Sequence, residues 1–211
     1  MEKIEMITIS GIKKIESLLE EFKPTAEEVS GLKLSDVVVS CREYPNKRWL
    51  FVYDPPNSIT INPKSNYVSF LIDSESGLPE LKYYILHELG HHIFHTINPE
   101  LINNKIEYTL IDEGFAEYFS LDLTPNGILS EDTIRSRKGI LSNIFDIEYL
   151  RYIQGYDFFS KVTKAFGKEE AFNIIKKPKI MHTEILFPEL YILRKKIMHK
   201  LGRKNGNLQK K

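Results

Sequence analysis

Apolar side chains recur at Ile12, Ile15, Leu18, Leu19 and Phe22, the three-and-four spacing of one helix face. The pattern predicts an amphipathic helix over residues 10–22, ended by Pro24, with a further turn or two within 26–34. The rhythm then changes. Short runs rich in β-branched and aromatic residues follow at Val37–Ser40, Trp49–Tyr53, Ser58–Ile61 and Tyr67–Ile72. Pro55-Pro56-Asn57 and Asn62-Pro63 mark turns between them. Beyond residue 78 the spacing is helical almost throughout. One helix is expected over 81–94, with Pro79 suited to its first turn, and a second from near Asn104 to before Pro125. A last helix is expected over Leu186–Leu201, where Leu190, Leu193, Ile197 and Leu201 share a face. Strands first and helices after predict an α+β fold, with a small mixed sheet packed on the 81–94 helix. A chain of 211 residues suits a single domain, 1–211. Within it, 1–98 is the strand-rich part with the central helix, 99–205 is helical, and 202–211 reads as a frayed basic tail.

That central helix carries His87-Glu88-Leu89-Gly90-His91, the pattern H-E-x-x-H. Positions four apart lie on one helix face, so both imidazoles can reach one zinc ion. Glu88, about 100° further round, projects beside them, where it can hold a water at the metal and take its proton. Leu81, Ile85, Leu86, Leu89 and Ile93 supply a packed face for the same helix. The chemistry implied is zinc-assisted hydrolysis, with a peptide bond as the first expected substrate.

A catalytic zinc needs a third protein ligand. The next acidic cluster, Asp112-Glu113-Gly114-Phe115-Ala116-Glu117, lies on the second helix. Glu113 and Glu117 are four apart, which predicts Glu113 as the ligand and Glu117 as acceptor of the free ring N–H of a ligating histidine. Asp112 points about 100° away from Glu113. His95 continues the row of His87 and His91, but one turn displaces it about 5 Å along the axis, so it is expected beside the site or on the surface. His92 points off the His87/His91 face. The three-histidine motif H-E-x-x-H-x-x-G-x-x-H fails, because Phe94 and Ile97 stand at its last two fixed positions.

The pair "HELGHH" and "DEGFAEY" resembles the gluzincins, metallopeptidases with two histidines on one helix and a glutamate on the next. The run Glu113–Ala116 is especially similar to the aminopeptidases of the M1 group, which also carry a Tyr-x-x-Gly signature. Tyr152-Ile153-Gln154-Gly155 matches it, and by resemblance Tyr152 would donate a hydrogen bond to the oxyanion. The Gly-Ala-Met-Glu-Asn exopeptidase motif of that group is absent, so aminopeptidase activity is not carried over. Glu113, Ala116, Phe119 and Pro125 also loosely resemble the HExxH proteases of the ImmA/IrrE type, which act on transcriptional repressors. A regulatory protease of that type, or a latent or non-catalytic zinc-binding regulator, is the alternative reading. In gluzincin-like enzymes an edge strand beside the zinc pairs with an extended substrate. Tyr67–Ile72, closest in sequence to the active-site helix, is the expected edge.

Composition narrows the setting. Lys and Arg number 29 and Asp and Glu 29, so no global charge draws the chain to nucleic acid. From Arg194 onward there are eight Lys or Arg and no acid, which is expected to be a solvated end. The single cysteine, Cys41, cannot form an intramolecular disulfide and is expected as a buried thiol in or beside a strand. His182 is expected as an exposed loop histidine. Residues 1–5 lack the basic flank and apolar stretch of a signal peptide, and no run is long enough to span a bilayer. A cytoplasmic location, a peptide or protein substrate and no membrane partner are the corresponding expectations; oligomeric state is left open.

Overall fold

The computed structural model describes residues 2–43, 50–63, 65–103, 105–125, 127–143, 147–178, 180 and 182–208. Trp49 and Asn104, named above as element ends, lie outside that set. The chain is α+β: a small mixed sheet and nine α-helices among the described residues. Helix α1 spans Glu2–Ser30 and passes through Pro24 instead of stopping there. An internal proline costs about 3 kcal/mol. Leu18, Leu19, Phe22 and Ala26 are all buried on one face across it, so packing on both sides of the proline offsets that cost. The helix ends at Gly31, whose φ of 67° is the left-handed cap geometry, with its N–H on the Glu27 carbonyl at 2.8 Å.

The sheet has three short strands, β1 (Val38–Cys41), β2 (Phe51–Asp54) and β3 (Ser58–Ile61). Their order is β1-β3-β2, with β1 parallel and β2 antiparallel to β3. The registers Val39↔Ile59 and Tyr53↔Ile59 put three side chains of one face together, and all three are buried. Cys41 closes β1 and is only half-buried, with burial pushing its thiol upward in pKa.

The expected fourth strand is a helix. Residues Asn66–Asp73 form α2, capped by Ser65, whose hydroxyl accepts from the Val68 N–H. Val68, Leu71 and Ile72 bury at helical spacing while Tyr67 and Phe70 stay exposed. A short apolar run fits either period, and here the N-cap and the core contacts select 3.6 over 2.

Helix α3 (Leu78–Ile97) is the centre of the molecule. The strand β2, α1, α2 and the following helix α4 (Lys105–Tyr118) all pack against it. A π-helical turn at Phe119–Leu123 continues α4, and α5 (Glu131–Asn143), α6 (Ile147–Phe166) and α7 (Lys168–Lys176) follow. One apolar core runs from Ile15 of α1 to Tyr191 near the other end of the chain. His182, expected in a loop, is the first residue of the short α8 (His182–Leu186). The last helix, α9, runs Pro188–Leu208, so the supposed tail from Gly202 is helical. Arg203, Lys204 and Leu208 are good helix formers and no proline interrupts them. Residues 209–211 lie outside the described set. No described helix is long and apolar enough to cross a membrane.

Candidate metal centre

Two helix crossings assemble the site, and both occur at glycines of the motifs. A Cβ on Gly90 of α3 would sit 2.6 Å from Ala116 Cα of α4, so the two backbones touch there. A Cβ on Gly114 of α4 would fall 2.3 Å from Gly155 Cα of α6. Real Cβ atoms do not approach backbone that closely; only glycine permits these crossings. They bring Glu113 against the His87/His91 face, and Tyr152, nearly one turn before Gly155, to the same place.

There the three donor atoms converge. His87 Nε2 and His91 Nε2 are 3.1 Å apart. Glu113 Oε2 lies 3.5 Å from the first and 3.4 Å from the second. Bonds of about 2.0–2.1 Å to a tetrahedral zinc separate any two ligand atoms by roughly 3.3–3.4 Å, so this triangle fits that ion. Such a group of residues could hold a metal ion. Its electrostatics agree. Burial alone would raise the Glu113 carboxyl, but hydrogen bonding to His87 and His91 holds it far below its usual range. Burial disfavours charge on His91, yet Asp112 and Glu113 raise it well above an ordinary histidine. The carboxylates thus hold protons on the imidazoles that a bound dication would displace.

The outer ring nitrogens are treated unequally. His91 Nδ1 is 2.7 Å from Asp112 Oδ1, a good hydrogen bond, and Asp112 Oδ2 is 3.2 Å from His95 Nε2. Asp112, expected to point away, is therefore the carboxylate that orients the His91 ring. Glu117 Oε1 is 3.6 Å from His87 Nδ1, too long for a hydrogen bond but close enough to attract its charge. That oxygen accepts from the buried Tyr83 hydroxyl at 2.6 Å instead. Tyr83 carried no motif, and its spacing of four before His87 was the only signal for it. His95 is buried beside the triangle and outside it, as its displacement along the axis required. His92 turns away to the sheet, with Nδ1 2.8 Å from the Tyr53 hydroxyl and Nε2 3.2 Å from the Ser35 carbonyl oxygen.

Glu88 and Tyr152 both line a cleft of about 340 Å³ over the triangle. Glu88 is buried, which raises its carboxyl in pKa against the pull of His91 and His87. Its Oε2 finds no hydrogen-bond partner among the described residues. A buried, unsatisfied carboxylate oxygen at a cleft with two imidazoles is suited to hold and deprotonate a water. The Tyr152 ring lies 6.0 Å from that of His87. Val52 and Tyr53 of β2 line the same cleft, and the Tyr53 ring stacks on His91 and His95 at 6.3 and 5.6 Å.

No protein-family model matches this chain, and neither a curated protein nor a solved structure matches it.

Proposed function

We propose that this chain is a zinc-dependent peptidase of the gluzincin type, with a zincin-like arrangement of sheet and central helix. The observation that carries the reading is the triangle of His87, His91 and Glu113, with the unsatisfied Oε2 of Glu88 beside it. A zinc ion held there would polarise a carbonyl and bring the pKa of a neighbouring water from near 16 to about 7. Glu88 accepts the proton of the attacking water and returns it to the leaving amine. Tyr152 donates its hydroxyl hydrogen bond to the oxyanion as it forms. Asp112 keeps the His91 ring turned with Nε2 inward, and the charge of Glu117 does so more weakly for His87.

The edge strand next to the cleft is β2, not the segment 67–72, which is helical. Among the described residues β2 has a strand neighbour on one side only, so its other edge can pair with an extended peptide laid across the site. Peptide hydrolysis is favoured over the hydrolysis of small esters or amides for that reason.

The test combines metal content with turnover on the purified full chain. Elemental analysis is expected to find about one zinc per chain, and denatured casein or a quenched peptide library is expected to be cleaved. Glu88→Gln should keep the zinc and lose cleavage, whereas His87→Ala should lose both. Undiminished turnover in a clean Glu88→Gln sample would sink the assignment.

A further inference from the structure

The last helix exposes apolar side chains that nothing among the described residues covers. Phe187 precedes α9 at 59% exposure; within it Leu190 is 48%, Leu193 56%, Ile197 47%, Met198 64% and Leu201 52% exposed. At 3.6 residues per turn, Leu190, Leu193, Ile197 and Leu201 fall within an arc of roughly 80°, and Phe187 and Met198 widen it on one side. Lys196 and Lys200, also exposed and four apart, run along the other side.

The near end of the helix is fixed to the body. Tyr191 is buried and donates to Glu170 at 2.6 Å, and Arg194 and Lys195 pair with Glu184 and Glu170. From Leu193 through Leu201 every side chain is exposed. The sequence continues with Arg203, Lys204, Lys210 and Lys211, and no acidic residue follows Glu189.

We propose that α9 is a surface-docking helix for an anionic lipid bilayer. The Leu190–Leu201 stripe enters the boundary between headgroups and acyl chains, and the cations beside it hold the lipid phosphates. Charge decides the partner. Two copies of α9 packed on their apolar stripes would bring Lys196 and Lys200 against like charges, with no acid on the exposed length to offset them. An acidic helical peptide would need a groove, and from Leu193 to Leu201 every side chain of α9 is exposed, with no wall beside it among the described residues. A planar interface takes a lone convex helix. The expectation of no membrane partner rested on span length, which a helix lying in the interface does not require.

The test is flotation of the full chain with vesicles of phosphatidylcholine alone and with about one-third phosphatidylglycerol. Binding is expected to the anionic vesicles and to fall by tenfold or more without the anionic lipid. Leu193→Glu with Ile197→Glu should lose at least tenfold, and so should Lys196→Glu with Lys200→Glu, while Lys196→Arg with Lys200→Arg should bind as before. These positions are exposed, so circular dichroism should not change. The proposal is overturned if the chain ignores anionic vesicles, or if binding is indifferent to the two glutamates on the apolar stripe. Dimerisation through the same residues, seen by light scattering without lipid, would equally overturn it.

Discussion

His91 and Asp112, on two different helices, are joined by a 2.7 Å contact between Nδ1 and Oδ1, which turns Nε2 of the imidazole into the donor triangle. The same carboxylate reaches His95 through its second oxygen at 3.2 Å. A ligand whose ring is fixed in this way loses less freedom when it binds a metal.

Replacing Asp112 by Asn keeps the shape and removes the charge that fixes the ring. Loss of such a partner costs about 10–100-fold in metal affinity. Asp112→Asn should show that drop in a competition titration against a chromophoric chelator, with its helical circular dichroism unchanged. Affinity within twofold of the parent chain would show that Asp112 does not orient His91.

Tyr83→Phe leaves Glu117 Oε1 buried without its donor. An orphaned buried acceptor costs about 1–3 kcal/mol, more when charged. Urea unfolding should shift to lower midpoint by that amount. Burial raises that carboxyl, so it takes up its proton at a higher pH than an ordinary glutamate, and the loss should be smaller at low pH than at neutral pH.

Gly155→Ala would place a methyl 2.3 Å from the Leu110 carbonyl oxygen and 2.5 Å from Gly114 Cα. Backbone on both sides cannot yield cheaply, so a loss of about 1–3 kcal/mol is expected. Since this crossing carries Tyr152 to the cleft, any turnover by the parent chain should fall further than its stability does. A thermal scan and a peptide-cleavage assay on the same sample distinguish the two effects.

Glu170 predicts a pH dependence away from the candidate metal centre. Burial would raise its carboxyl, but hydrogen bonds from Lys195 and Tyr191 bring it below its ordinary value. A depressed folded pKa stabilises fully above the unfolded value near 4.3 and is lost as pH falls through the folded value. Glu170→Gln should therefore be less stable than the parent near neutrality, with the gap closing in acid below about pH 4. A gap that is constant with pH would show that packing, not charge, sets it.

Much of the site is local and therefore legible. His87, Glu88 and His91 belong to one turn and a half of one helix, so their shared face follows from helix geometry alone. The four-residue step from Glu113 to Glu117 is local in the same sense. The three strands and the central helix are readable from period and turn residues, although β3 and the middle of α3 are buried on every side.

What the chain's order of residues could not supply is where separate elements cross. Asp112 and Glu117 are both carboxylates within a turn of Glu113, and only the angle of α4 on α3, set where Gly90 meets Ala116, decides that Asp112 is the one bonded to an imidazole. Pro24 and the run Tyr67–Ile72 misled for a related reason. Local rules favoured a helix end and a strand, while the buried faces of α1 and α2 favoured helix, and contacts across the fold outweighed the local preference. Sequence alone thus determined which groups share a helix face; tertiary packing determined which of those faces meet, because close approach depends on side chains far apart in the chain.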